Sequence, residues 1–175
     1  GSWTAPAGVT QLRLILVGGG TGGTAGTDGS WEEAGTDGID GPGGMGWAGT
    51  VSINPQQTFS ISIGQGGGQG QDGAATVMGQ YSSANGARFE YGYTDVASGD
   101  SFARTGVQEP QPGSGDGGAK GLGGIKGNKH KESGTDSEGN SYSWTVIDNY
   151  PGPGTPGKAG GSGCVVIYWD KEAEA

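Results

Sequence analysis

The sequence predicts an all-β chain with no α-helix: a small antiparallel β-sandwich combined with a bundle of polyglycine-II helices. Three observations carry that expectation. Glycine supplies 43 of the 175 residues. In five stretches it recurs at every third position: Gly20 to Gly29, Gly35 to Gly44, Gly64 to Gly73, Gly115 to Gly127 and Gly154 to Gly163. Short apolar segments with strand character alternate with these stretches, and none of them has helical periodicity. A period of three belongs to a polyproline-II-type helix, which has three residues per turn and no internal hydrogen bonds. Each tract therefore presents a bare glycine row that a neighbouring backbone can approach closely. Hydrogen bonds between tracts can then satisfy the outward N–H and C=O groups. Ordering glycine costs on the order of 1–2 kcal/mol of backbone entropy per residue, so a true apolar core is also required. Collagen does not fit, because the tracts are short, poor in proline and interrupted by strands.

Taken in order, residues 2–6 lead in. Gln11 to Val17 (QLRLILV) is the strongest strand and is apolar enough to be covered on both faces. It runs into the first tract, where Thr21, Thr24 and Thr27 form one row. Residues 30–34 turn the chain back into the second tract. There Thr36, Ile39, Pro42 and Met45 form a register expected to face protein, with Asp37 and Asp40 toward water. Thr50 to Ile53, a turn at Asn54-Pro55, and Phe59 to Ile63 read as a hairpin. Residues 75–78 form a short strand after the third tract. An insert at 86–113 carries Phe89, Tyr91, Tyr93 and Phe102. In the fourth tract (GDGGAKGLGGIKG) the register Ala119, Leu122, Ile125 is expected to face the core, with Lys120 and Lys126 in solvent. A second insert, 128–153, begins basic, turns acidic and ends in a candidate strand at 142–147. The fifth tract leads into the closing strand Cys164 to Trp169. The expected organisation is one glycine-rich domain over 3–170, after a Gly1-Ser2 pair that reads as a cloning scar and before a frayed tail at 171–175.

The bulk numbers exclude several classes. A net charge of −9 and a pI near 4.3 argue against a nucleic-acid partner. One cysteine rules out a disulfide framework within the chain. No apolar stretch is long enough for a membrane-spanning helix. No catalytic Ser/His/Asp or Cys/His set can be assembled, and the carboxylates Asp37, Asp40, Asp136 and Glu138 do not follow a calcium-loop pattern. The reading is of a non-enzyme without metal or cofactor. His130 is a lone histidine among lysines, Cys164 a small buried apolar residue, and Glu32-Glu33 beside Trp31 only a faint echo of a glycosidase pair. GxGxxG matches such as Gly18 to Gly23 carry no phosphate-binding weight, because no helix follows them.

The segments PAGVTQLRLILVGGGTGG, GTVSINPQQTFSISIGQGGG and PGKAGGSGCVVIYW resemble the glycine-rich domain found at the ends of bacteriophage tail fibres and in related prophage proteins. A similar pairing of sandwich and polyglycine helices occurs in the glycine-rich region of anaplastic-lymphoma-kinase-type receptors. Polyglycine bundles also occur in the adhesins of T-even-like fibre tips, where loops between the helices touch the bacterial receptor. The resemblance implies a virion tail-fibre, extracellular module. Its partner would be a bacterial cell-surface receptor, protein or glycan, together with the rest of a tail fibre. Membrane insertion is not part of this reading. The two inserts depart from the family pattern, and receptor specificity is expected there.

The candidate receptor-binding residues are therefore the aromatics outside the tracts: Trp31, Phe89, Tyr91, Tyr93, Phe102, Tyr142, Trp144 and Tyr150. Aromatic side chains give rigid contact area at low entropic cost. The plainer alternative is that several of them cap the ends of the core. Two other functions stay open at this point. One is a structural fibre cap or trimerisation module. The other is ice binding through the threonine row, although the neighbouring registers Thr155/Lys158 and Asp37/Asp40 do not extend it into a flat face.

Overall fold

The computed structural model describes residues 1–88, 106–108 and 118–169. Among these residues there is no α-helix, only strands and a 3-10 turn at Ser83–Asn85. The strands are β1 (Ser2–Thr4), β2 (Gln11–Val17), β3 (Met45–Ser52), β4 (Thr58–Ser62), β5 (Val77–Met78), β6 (Tyr81–Ser82), β7 (Ala87–Arg88), β8 (Gly106–Gln108), β9 (Asn128–Thr135), β10 (Ser141–Asn149) and β11 (Cys164–Trp169). They form a five-stranded sheet in the order β7-β3-β2-β11-β8, a four-stranded sheet β1-β4-β5-β6, and a separate β9-β10 pair, all antiparallel.

The two larger sheets share one core. Leu12, Leu14 and Leu16 of β2, Val165 and Ile167 of β11, and Val51 of β3 pack with Phe59 and Ile61 of β4 and Met78 of β5. The alternate side chains of β2 and β11 are buried too: Ile15, Val17, Cys164, Val166 and Tyr168 form a second cluster on the other face. β2 is thus covered on both faces, as its largely apolar sequence predicts.

The expected hairpin between residues 50 and 63 is not formed. β3 and β4 lie in different sheets, and the 53–57 connection is a corner between them, closed by the Gln57 amide donating to the Asn54 carbonyl at 3.1 Å. Gln56 takes a positive φ of 60° there. Alternating hydrophobicity reports which face of a strand is buried, not which strand lies beside it. The lead-in is also a strand: Ser2 and Thr4 pair with Ser60 and Thr58, and the Gly1 ammonium donates to the Ile61 carbonyl.

The first and third glycine tracts leave the sheets at Gly18 and Gly64, the second, third and fifth return at Gly44, Ala74 and Gly163, and the fourth is described from Gly118. The first tract is central, and its three registers serve three neighbours. Thr21, Thr24 and Thr27 donate to Pro42, Ile39 and Thr36 of the second tract; Gly19 and Gly22 donate to Ala74 and Gln71 of the third. Gly20, Gly23, Gly26 and Gly29 donate to Gly161, Lys158, Thr155 and Gly152 of the fifth. The fourth tract in turn donates to it, from Gly118, Gly121, Gly124 and Gly127 to Thr21, Thr24, Thr27 and Ser30. These bonds are 2.8–3.0 Å long, the length of ordinary amide–carbonyl bonds. The third tract departs from expectation. It bends back on itself, with Gly70 at a φ of 66°, Gln71 donating to Gly68, and Ala74 donating to Gln65.

Outer amides that meet no tract are satisfied by side chains. Asp40 accepts from the Lys120 amide, Asp37 from Gly123 and Asp28 from Gly154. Thr24 and Thr27 hydroxyls accept from Ile39 and Thr36, and Thr155 accepts from Leu122. These residues are working hydrogen-bond partners rather than a merely wetted face. The apolar registers behave differently from expectation. Leu122 is 57% exposed, Ile125 62% and Ile39 73%, so neither the Ala119/Leu122/Ile125 row nor the Ile39 row faces a core. A tract packed through its glycine row and neighbouring backbone turns its remaining side chains outward.

Sheets and tracts meet at a buried polar node. The Thr76 hydroxyl donates to the Val17 carbonyl at 2.6 Å and accepts from the Gly64 amide at 2.9 Å; the Thr76 amide donates to the Ser83 hydroxyl. Both residues are fully buried. β2 ends and the third tract begins at this node.

Candidate functional site

Every tract that leaves the sheets must turn before it returns, and two of those turns lie at the end far from the sheets. One is residues 30–33. The Ser30 amide donates to the Glu33 carbonyl, and the Ser30 hydroxyl accepts from the Glu32 and Glu33 amides at 3.1 and 2.9 Å. This side-chain-closed turn fixes Trp31. The other is the β9–β10 hairpin, which rises between the fourth and fifth tracts. Its root is tied beside the first turn: Gly127 donates to Ser30, and Gly29 donates to Gly152.

Trp31 and Tyr150 meet at this root, with ring centroids 5.7 Å apart and planes at 58°. The Lys129 ammonium sits 5.1 Å from the Trp31 centroid, a cation–π contact. Gly127 lies so close to the rings of Trp31 and Pro151 that a Cβ would fall 2.6–2.7 Å from both. Trp31 is therefore half-buried and engaged within the molecule, while Tyr150 stays exposed.

Tyr142 and Trp144 come together further out, on one face of β10. Their rings stack at 5.4 Å and 28°, with 52% and 42% of each residue exposed. The register places Tyr142 opposite Gly134, Trp144 opposite Glu132 and Val146 opposite His130. Glycine leaves room for the tyrosine ring to lie across it, with the hydroxyl 3.0 Å from the place of a Cβ. His130 is held on both sides: Nδ1 lies 3.0 Å from Asp148 Oδ2, and Nε2 lies 3.3 Å from Glu132 Oε1. The Asp148 hydrogen bond, then that of Glu132, raises the histidine above its ordinary pKa. The hairpin's tip is closed by Asp136, which accepts from the backbone and side-chain amides of Asn140 and from the Glu138 amide; these bonds, Asn140's first, hold its carboxyl below the usual range. The opposite face presents Lys129, Lys131, Ser133, Ser143, Thr145 and Ile147.

The structure thus brings four of the eight sequence-derived residues to one end, as two pairs. Phe89, Tyr91, Tyr93 and Phe102 lie outside the described residues; the insert that carries them starts at β7 and passes through β8, on opposite edges of the five-stranded sheet. The lone-histidine reading of His130 is corrected, since both ring nitrogens have carboxylate partners. The alternation of His130, Glu132 and Asp148 is present in the sequence, but it becomes a clamp only once the charged segment at 128–135 pairs as a strand with β10. No group of metal-ligating side chains occurs among the described residues, and no helix there is long and apolar enough to cross a membrane. No family model, curated protein or solved structure matches this chain.

Proposed function

We propose that the chain is a non-catalytic receptor-binding tip domain of a phage or phage-like tail fibre, displayed extracellularly on the virion. In this reading the tracts are polyglycine-II helices bundled on one end of a small antiparallel β-sandwich. The observation that carries it is the separation of roles along the molecule. Side-chain cores lie at one end, and the aromatic turn and hairpin lie at the other. At about 3.1 Å per residue, the stretch from Gly18 to Ser30 spans roughly 35 Å. A rigid stalk that presents short loops is a common arrangement for recognition. The partner is a bacterial surface receptor, bound through shape and aromatic contact with no chemistry. The resemblance of the opening, hairpin-like and closing segments to tail-fibre glycine-rich domains supports the same reading.

Binding of the fluorescently labelled chain to a panel of intact Gram-negative and Gram-positive bacteria tests it. Capture by a narrow set of strains, lowered by Trp144→Ala, is the expected result. Failure to bind any strain would sink the receptor-binding reading. A second reading, a fibre cap or trimerisation module, draws on the exposed Leu122 and Ile125 ridge. Sedimentation velocity across a wide concentration range decides it: a monomer throughout removes trimerisation.

A further inference from the structure

Resting on the receptor-binding reading and narrowing it, we infer that the Tyr142/Trp144 face of the β9–β10 hairpin is a saccharide site that takes an uncharged glycan. The two rings stack on one another and each residue is about half exposed, which leaves ring surface open as a small aromatic plate. Such a plate matches the C–H face of a pyranose, which is apolar and flat. Hydroxyls on the rim of that sugar need acceptors beside the plate rather than beneath it. Glu132 is the direct cross-strand partner of Trp144, on the same face of the hairpin. Asp148 lies on the same face, and His130 bridges the two carboxylates. The bridge orients both acids, which lowers the cost of ordering them around a ligand.

Charge selects among sugars. This face carries two carboxylates against one histidine, whereas the lysines Lys129 and Lys131 point to the other face. Saccharides bearing carboxylate or phosphate groups are therefore repelled from the plate. Area argues against a protein partner at the same spot. A stable protein interface covers about 800 Å² per side with a dry centre. Here the plate is a single pair of stacked rings, and Val146 is its half-buried apolar neighbour on that face.

The test is a microarray of bacterial surface polysaccharides, neutral and acidic printed together, probed with the whole chain. Expected is capture by neutral polysaccharides, weakened at least tenfold by Trp144→Ala and severalfold by Glu132→Gln, with Lys131→Ala unchanged. Trp144→Phe keeps a ring in the hairpin and is expected to retain part of the binding, which separates a lost plate from a melted hairpin. Absence of capture by any neutral polysaccharide, or capture that survives both Trp144→Ala and Glu132→Gln, overturns the inference. If the chain still binds bacteria in that case, receptor binding stands and its receptor lies elsewhere. If Trp144-dependent capture occurs but no bacterium is bound, the glycan site stands and the fibre-tip reading falls.

Discussion

At Leu14 the interior of the molecule is filled by a side chain; at Gly121 it is filled by a neighbour's carbonyl. Leu14 is fully buried between two sheets, in a cluster of aliphatic and aromatic groups. A Cβ at Gly121 would overlap the Thr155 carbonyl oxygen and lie 2.7 Å from the Gly26 amide nitrogen. The sheets gain from removing apolar area from water. The tracts have almost no side chains to bury and rely on backbone hydrogen bonds, each worth about 1 kcal/mol net, repeated along every register. The two regions therefore fail in opposite ways: one when atoms are taken out, the other when atoms are put in.

The largest effect is expected in the tracts. Gly121→Val places a branched side chain where a carbonyl already lies, and the fourth tract cannot move without breaking its bonds to the first, second and fifth. Loss of soluble, cooperatively melting protein is expected. Gly68→Ala is the matched control, because a Cβ there meets nothing within 4 Å; its melting curve should follow the parent's. If Gly121→Val melts like the parent, the tract is not packed through its glycine row. Next comes the sheet core. Leu14→Ala leaves a cavity that close packing cannot refill and should cost about 3 kcal/mol, within the usual 2–5 range, read as a lower midpoint in urea. The chain should still fold, unlike the glycine variant.

Thr76→Val probes the seam between the regions. It keeps the shape but strands the Gly64 amide and the Val17 carbonyl, both served by the Thr76 hydroxyl. An unsatisfied buried group costs about 1–3 kcal/mol, so a loss near 2 kcal/mol is expected. Hydrogen exchange should quicken first at Gly64 and Gly163, whose amides lie at this seam. Exchange that rises evenly over the chain would mean the seam is no weaker than the rest. Leu122→Ser, on the exposed outer ridge, should change stability by less than about 0.5 kcal/mol. A large loss there would restore the core-facing role that the sequence suggests for this register.

How far the sequence reveals this depends on the period involved. The period of three marks where backbones approach closely, because a Cβ at Gly23, Gly38, Gly121 or Gly157 would overlap a neighbouring carbonyl. It missed the bend in the third tract, since Gly64 to Gly73 keeps the same spacing while Gly70 turns the chain with a positive φ. The largely apolar β2 and the unbroken apolar run of β11 mark the centre of a sheet. Pairing was not legible: Ser2–Thr4 is too short to show a pattern, and β3 and β4 parted at the corner into separate sheets. The outer registers run against the amphipathic expectation because these tracts pack through glycine, which leaves Leu122, Ile125 and Ile39 exposed. Aspartates and threonines recurring beside those tracts were the usable signal, as they cap the outer amides. Trp31, Tyr142, Trp144 and Tyr150 stand out in the sequence as aromatics outside the tracts, and the structure pairs them at one end. The His130 clamp does not stand out, because it depends on β9 lying in register with β10.

The hairpin belongs to neither region, and its smallest predicted effect separates it from both. It has no core, so its own side-chain contacts matter more than they would in a buried strand. His130 is exposed, and its proton is favoured by Asp148 and then Glu132, which raises its pKa above 6.5. A group whose pKa rises on folding stabilises the folded form while it is protonated. The contribution is complete below about 6.5, the unfolded value, and fades as pH climbs through the raised value. An NMR titration of the single histidine should thus give a midpoint above 6.5, and hairpin amides should exchange faster, relative to intrinsic rates, on its alkaline side. Tract amides should show no such step, since their bonds involve no group that titrates there. Asp37 works in the other direction: the Gly123 amide and then Lys120 lower its pKa, so its contribution is present above 3.8 and is lost as pH falls through the lowered value. A histidine midpoint at or below 6.5 would show that the clamp does not hold in solution, and with it the preorganised carboxylates beside Trp144.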